Sequence, residues 1–186
     1  GYKRRKNSQP TGPASERSAR MKFKAVFGAF LAAALGIGAP LAAKERGPVT
    51  NLPMPRYVSL KADEGNARRG PSLSHRIDWV FTRRNMPLEV TGEYGHWRRV
   101  QDRDGQGGWV HYSLLSGVRH VIVEADLTPL RVKPDIEAPV NAYAEAGVVA
   151  RLGNCSLDWC LVTAEGAKGW VSKSTLWGVK PEEIRE

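Results

Sequence analysis

The chain has 186 residues and a net charge of +9, from 28 Lys and Arg against 19 Asp and Glu. Most of that charge lies in the first 43 residues, where eight basic groups accompany one acidic group. Residues 44–186 therefore carry 20 basic and 18 acidic groups, a net charge of only +2. Because a nucleic-acid-binding domain needs a basic surface on its folded part, this balance argues against DNA or RNA as a partner.

The first 43 residues divide into two segments. Residues 1–20 are polar and rich in Lys and Arg, and we expect a disordered extension. Residues 21–43 have a basic start followed by an uncharged run with small residues at its end, which is typical of a secretion signal cleaved after Ala43. The alternative is an uncleaved membrane anchor over residues 25–43. Cleavage, and hence a periplasmic or secreted protein without stable membrane insertion, is favoured by the interrupting residues Gly36, Gly38 and Pro40.

Residues 44–56 contain three prolines and are predicted to form an extended lead-in. After them the chain repeats itself at an offset of 61 to 63 residues, most clearly in GWVHYSLLSGV (108–118) and GWVSKSTLWGV (169–179). Upstream matches are Trp97 with Trp159, Val100 with Val162, Pro71 with Pro134, and Leu88 and Val90 with Val148 and Ala150. Internal repetition indicates two similar units, placed at 57–120 and 121–180, with a tail at 181–186.

Short β-type runs separated by Gly- and Asp-rich turns dominate both units. Segments 71–87 and 134–147 have few strand features and are predicted to be long loops. A single helical turn is expected at 113–115 and at 174–176. The Trp of each Gly-Trp-Val triplet is predicted to lie in the core (Trp109 and Trp170). The fold class is all-β, with two tandem small barrels after a signal peptide.

Two cysteines are present, Cys155 and Cys160, separated by four residues that suit a hairpin tip. An exported protein folds in an oxidising compartment, so we predict a disulfide across this hairpin. The spacing differs from the C-x-x-C of redox motifs, and no His in the second unit could complete a zinc site.

Three motifs of the first unit resemble bacterial SH3-like domains: Arg68 to Pro71, Pro87 to Trp97, and Gly108 to Gly117. The resemblance covers about residues 57–179 and is greatest to the exported two-repeat proteins of alphaproteobacteria. It implies five- or six-stranded barrels that serve as binding modules in the cell wall, without an activity of their own.

The resemblance also implies a peptide groove between the long loop and the hairpin that follows it. Aromatic rings give large contact areas and Arg binds carboxylates through paired hydrogen bonds. These properties suit a peptidoglycan peptide or glycan, or a peptide of an envelope protein. We expect that replacing Arg83 and Arg84 together by Ala weakens binding and leaves folding intact. The candidate ligand-binding residues are Trp79, Arg83, Arg84, Tyr94, His96 and Trp97.

The pattern of polar residues gives no support to catalysis or metal binding. The histidines are scattered without metal-ligand spacing, and Ser113 and Asp102 near His111 lack a nucleophile elbow. Residues 102–105 are better explained as a hairpin tip than as a calcium loop. We predict a non-enzymatic periplasmic binding or scaffold protein without metal or cofactor. The alternatives are a purely structural subunit of an envelope complex and a cell-wall hydrolase. The four histidines are His75, His96, His111 and His120.

Overall fold

The computed structural model describes residues 45–186. The predictions of an N-terminal extension, a signal segment and cleavage after Ala43 lie outside the described residues. Within the described range, no helix has the length and apolar character needed to cross a membrane. The strands form two seven-stranded antiparallel sheets, which confirms the all-β tandem fold.

Barrel 1 has seven strands and one 3-10 turn. In chain order these are β1 (Arg56–Leu60), β2 (Gly65–Arg68), β3 (Ile77–Phe81), β4 (Pro87–Tyr94), β5 (Trp97–Gln101), β6 (Gly107–His111), the turn η1 (Tyr112–Leu114) and β7 (Leu115–Ser116). Their order across the sheet is β3-β2-β6-β5-β4-β1-β7.

Barrel 2 has the same strand order, β10-β9-β13-β12-β11-β8-β14. Its elements are β8 (His120–Val123), β9 (Thr128–Arg131), β10 (Val140–Ala144), β11 (Val149–Cys155), β12 (Trp159–Ala164), β13 (Ala167–Ser172), the turn η2 (Lys173–Thr175) and β14 (Leu176–Trp177). The identical order confirms the internal repeat. Each expected helical turn is present, one residue earlier than predicted.

The Gly-Trp-Val triplet places its valine in the core of each barrel. Val110 and Val171 are fully buried, whereas Trp109 and Trp170 are half-buried on the outer face. The prediction that these two tryptophans lie in the core is therefore wrong, because successive side chains of a strand point to opposite faces.

The glycine of the triplet is required by a close strand crossing. A Cβ at Gly108 would lie 2.6 Å from the carbonyl oxygen of Arg68, and one at Gly169 would lie 2.6 Å from the Cβ of Leu130. Neither position can accept a side chain without moving the neighbouring strand. The triplet thus recurs because both barrels close at the same corner.

The strand pairing also corrects part of the repeat alignment. Leu88 pairs with Val58 in barrel 1, and Ala150 pairs with Val121 in barrel 2. Leu88 therefore corresponds to Ala150, two residues beyond the match made from sequence. The two-residue error arose because small apolar residues on both sides of the true match, Val148 to Ala150, align equally well by residue type.

Both predicted long loops contain a strand. β3 lies within 71–87 and pairs with β2, and β10 lies within 134–147 and pairs with β9. The strand signal of β3 was hidden because this outer strand is exposed at every residue but its last, so it has no apolar–polar alternation.

The segment predicted as an extended lead-in folds back over the end of barrel 1 in its described part. Backbone hydrogen bonds close a turn between Gly47 and Leu52. The buried carboxylate of Glu93 accepts hydrogen bonds from the Val49 and Thr50 amides at 3.0 and 2.9 Å. It also accepts from the Thr50 hydroxyl and from Arg56, both at 2.6 Å. A fixed internal acceptor, rather than the prolines, determines the path of this segment.

The two barrels meet along a packed seam. Ser59 of β1 is 1% exposed, and its hydroxyl lies 3.0 Å from Nδ1 of His120 and accepts a hydrogen bond from the His120 amide. Beside it the rings of Tyr57 and Trp177 make an edge contact with centroids 5.3 Å apart. Arg83 spans the seam by donating to the carbonyl of Gly147 at 2.9 Å.

Candidate functional site

The outer face of β5 and β6 in barrel 1 collects aromatic and cationic side chains. Trp97 lies opposite His111, and Arg99 lies opposite Trp109. The residues between them, Arg98, Val100 and Val110, are buried on the inner face. The alternation of the two strands therefore brings four functional side chains onto one surface.

Four rings at one end of this face form what we call the imidazole–aromatic patch: His96, Trp97, His111 and Tyr112. The His111 ring lies 5.5 Å from Trp97 and 4.9 Å from Tyr112, centroid to centroid. His96 lies 5.5 Å from Tyr112. Tyr94, 65% exposed, stands opposite Trp97 at the end of β4. The patch offers flat ring faces together with imidazole nitrogens that can donate or accept hydrogen bonds.

A polar cavity of about 330 Å³ opens next to Arg99 on the same barrel. Its lining is mainly strand backbone and glycine, and we call it the Arg99 cleft. Gly107 is essential to its shape, because a Cβ there would lie 2.1 Å from the Val100 carbonyl oxygen. The residues of the cleft are Thr91, Arg99, Val100, Gln101, Gly105, Gly107 and Gly108.

Barrel 2 keeps the two tryptophans and replaces the polar partners. Trp159 pairs with Ser172, and Leu161 pairs with Trp170. Ser172 thus stands where barrel 1 has His111, and Leu161 stands where it has Arg99. Barrel 2 therefore has neither an imidazole at the position of His111 nor an arginine at the position of Arg99.

The corresponding end of barrel 2 is covered by residues 181–185. Lys173, which replaces Tyr112 of the patch, is 7% exposed. Its ammonium donates to the carbonyls of Ser156, Pro181 and Glu183 at 2.7, 3.0 and 2.8 Å. Arg185 exchanges two backbone hydrogen bonds with Cys155. A half-open cavity of about 680 Å³ is left between this segment and the β11–β12 hairpin.

The structure groups three of the six predicted ligand-binding residues and separates the other three. Tyr94, His96 and Trp97 lie together at the β4–β5 tip. Trp79 lies on the outer strand β3, 41% exposed, opposite Ala67. Arg84 lies 3.4 Å from Asp63, and Arg83 donates to barrel 2 as described above. None of these last three contacts the patch in the described part of the chain.

Sequence reasoning missed Arg99, His111, Tyr112 and Trp109 as members of one surface. The signal was the two-residue spacing of Trp97 and Arg99 on β5 and of Trp109 and His111 on β6. It becomes informative only when the register of the two strands is known.

The suggested triad of His111, Ser113 and Asp102 is not assembled. His111 Nδ1 lies 2.8 Å from the Ser113 hydroxyl, at the end of the hairpin where Trp97 pairs with His111. Asp102 lies beyond the opposite end, where its carboxylate accepts hydrogen bonds from the amides of Asp104 and Gln106 at 3.0 and 2.8 Å. Residues 102–105 therefore form the predicted hairpin tip. Among residues 45–186, no cluster of three or more His, Cys, Asp or Glu could hold a metal ion.

The predicted disulfide is confirmed. Cys155 and Cys160 are bonded directly across the β11–β12 pair, with an S–S distance of 2.02 Å. Both residues belong to the core of barrel 2.

Two small antiparallel barrels in tandem, repeated strand for strand, define the class of this protein. The profile of the bacterial SH3 domain matches residues 61–117 and 124–178, more than half of the chain, and the chain belongs to this family. The resemblance inferred from sequence is thereby confirmed.

Two solved structures from Trichomonas vaginalis are similar in part. NlpC2 shows 12% identity and a TM-score of 0.31 over 66% of this chain, and NlpC1 shows 11% identity and a TM-score of 0.31 over 70%. The match covers 48% of each of those chains, so this chain spans about half their length. No curated protein matches.

Proposed function

We propose that this chain is an exported, non-enzymatic binding module of the cell envelope that recognises peptidoglycan through the outer face of barrel 1. Bacterial SH3 domains often bind cell-wall components, which supports this class of ligand. The observation that carries the proposal is the imidazole–aromatic patch, which is open in barrel 1 and has no equivalent in barrel 2.

The contrast between the barrels supports a division of roles. At the position of Tyr112, barrel 2 has the inward-facing Lys173, which donates hydrogen bonds to the carbonyls of Pro181 and Glu183. A ligand would have to displace that segment, whereas the rings of barrel 1 face solvent. Barrel 2 and the seam then act as a support that holds the binding surface rigid.

The proposed compartment is the periplasm or cell exterior. The Cys155–Cys160 disulfide supports an oxidising environment, because such bonds persist mainly in exported proteins. The signal-like run at 21–43 in the sequence agrees with export.

We propose that the chain is not an enzyme, and the use of its polar groups supports this. His111 and Ser113 cap the turn η1, since the imidazole accepts a hydrogen bond from the Ser113 amide. Asp102 is committed to backbone amides of its own hairpin. Acyl transfer needs a nucleophile, a general base next to it and a third group that orients the base. Neither arrangement provides all three.

The test is co-sedimentation of the purified chain with isolated sacculi. Trp97→Ala is expected to weaken binding about tenfold, because a central tryptophan commonly contributes that much to an interface. Trp159→Ala is the matched control, since it removes the same side chain from the equivalent half-buried position of barrel 2, and its binding should remain that of the wild type.

Failure of the wild-type chain to sediment with sacculi would end the proposal. Sedimentation only in the presence of another envelope protein would instead favour a structural subunit. Release of soluble muropeptides during the incubation would point to the hydrolase alternative.

A further inference from the structure

Arg99 is a cation without a partner in the described part of the chain. Its backbone carbonyl accepts a weak hydrogen bond from Thr91 at 3.4 Å, but no carboxylate among residues 45–186 pairs with its guanidinium. By contrast, eight other arginines have an acidic partner: Arg56, Arg69, Arg76, Arg84, Arg98, Arg103, Arg119 and Arg185.

The cavity beside Arg99 is built for a small polar group. Three glycines, at 105, 107 and 108, contribute no side chain to its lining, and Thr91 also lines it. The amide of Gln101 is fixed by donating to Glu89 at 2.9 Å. A guanidinium beside an open polar floor fits a carboxylate, which Arg binds through two parallel hydrogen bonds.

The cleft and the patch lie next to each other along β5. The outward-facing residues of this strand are Trp97, Arg99 and Gln101, and each lies about 7 Å from the next. A ligand lying along this strand can therefore contact the ring of Trp97 with one unit and present an acidic group to Arg99 with the next.

The segment between the second strand and the long β-hairpin carries more positive charge in barrel 1 than its counterpart does in barrel 2. Residues 69–86, between β2 and β4, hold four Arg and one Asp, a net charge of +3. The equivalent residues 132–148 hold one Lys against two Glu and one Asp, a net charge of −2. Three of these four arginines are already paired, Arg69 and Arg76 with Asp78 and Arg84 with Asp63. The cation that a ligand meets in the cleft is therefore Arg99 itself.

We infer that the Arg99 cleft binds a free carboxylate of the peptidoglycan stem peptide while the adjoining part of the ligand lies on Trp97. This rests on the proposed function and adds to it the chemical group that is recognised and the residue that recognises it. Arg99, rather than Arg83 or Arg84, is the specificity-determining arginine, because Arg83 is bound to Gly147 and Arg84 lies beside Asp63.

The test compares two chains on two ligands. The ligands are native sacculi and sacculi whose carboxylates have been converted to amides. The variant is Arg99→Leu, which installs the residue of barrel 2 at an exposed position and should leave the melting temperature unchanged. The control is Arg151→Leu, which makes the same charge change on an exposed strand position of barrel 2.

Wild-type binding is expected to fall about tenfold on amidation, in line with a lost charge-assisted hydrogen bond. Arg99→Leu should lose the same affinity for native sacculi. It should lose no more on amidated sacculi, because the substitution and the amidation remove the same interaction between Arg99 and the carboxylate. Arg151→Leu should bind as the wild type does. Soluble muropeptides with free carboxylates should compete for the wild type, and their amidated forms should not.

Equal binding of the wild type to both kinds of sacculi, or unchanged binding by Arg99→Leu, would overturn the inference. If Trp97→Ala still lost binding in that case, the proposed function would stand without it. Absence of wild-type binding to native sacculi would remove both.

Discussion

The same hairpin position carries a different cross-strand pair in each barrel. Trp97 and Trp159 are equivalent positions and set the alignment of the two hairpins. With this alignment, the Glu93–Arg98 pair of barrel 1 corresponds to the Cys155–Cys160 pair of barrel 2. The first pair is a buried carboxylate and guanidinium 3.6 Å apart, and the second is the disulfide. Both pairs also anchor a flanking segment, because Glu93 binds residues 49–56 and the Cys155 backbone binds Arg185.

Glu93 is held ionised by its partners. Burial by itself would raise its pKa, but hydrogen bonds from Thr50, Arg56 and Val49 outweigh that effect and lower the pKa to about 2 from 4.5. Because the pKa is lower in the folded chain, the resulting stability is fully present above about pH 4.5 and is lost as the pH falls toward 2.

Replacing Glu93 by Gln is expected to lower the free energy of unfolding at neutral pH by roughly 3 kcal/mol, because it leaves Arg56 and Arg98 without their shared carboxylate. Urea denaturation as a function of pH measures this. The wild type should lose stability more steeply than the variant below pH 4.5, and parallel curves would contradict the assignment.

The two barrels differ most in the hairpins β4–β5 and β11–β12. The β4–β5 tip holds Tyr94 and the patch residue His96 in exposed positions, whereas the β11–β12 hairpin is closed by the disulfide and covered by residues 181–185. The two hairpins thus differ in exposure, with the proposed binding surface on one and a covered end on the other, while their strands keep one architecture.

Substituting Cys155 and Cys160 together by Ala is expected to reduce the unfolding free energy by roughly 2 kcal/mol, as the chain-entropy estimate for so short a loop gives. Hydrogen exchange should accelerate in β11, β12 and the Arg185 amide, and stay slow in β4 and β5. An equal acceleration in both barrels would show that the bond does not act locally. Thiol titration of the denatured, unreduced wild type should find no free thiol.

In the folded chain the two barrels are joined by more than their linker. Three contacts join them: the buried Ser59–His120 contact, the Tyr57–Trp177 ring pair and the Arg83–Gly147 hydrogen bond. The buried Ser59–His120 contact favours one relative orientation, since another would leave these polar groups unpaired. A rigid pair of barrels would present the binding face in a fixed direction.

Burial lowers the pKa of His120 and the positive charge of Arg151 acts in the same direction, whereas a hydrogen bond from the imidazole to the Val118 backbone raises it. The unfolded chain therefore binds the proton more readily, and stability falls as the pH drops below about 6.5. His120→Asn, which keeps a hydrogen-bonding group near Ser59, should flatten this dependence in denaturation series between about pH 7 and pH 5. An unchanged slope would show that His120 does not titrate with folding.

Much of the architecture was predictable because its determinants are local. The Gly-Trp-Val triplets mark the strand corner in both units, and four residues between two cysteines suffice to predict a hairpin disulfide. Residues near each other in sequence share these constraints whatever the rest of the chain does. The strand β3 escaped prediction because it buries little and so lacks a periodic pattern.

The composition of the proposed ligand surface depends on contacts between residues that are distant in sequence. Trp97 was identified from its motif. Its pairing with His111, and the pairing of Arg99 with Trp109, became known only from the register of β5 and β6. The hydrogen bond from Arg83 to Gly147 likewise depends on the packing of the two barrels, which no local pattern predicts. Residue types and their periodicity specify which strands form, since those preferences act over a few positions. Which side chains remain free for a ligand follows from pairing and burial across the folded chain, because each contact made there removes a group from solvent.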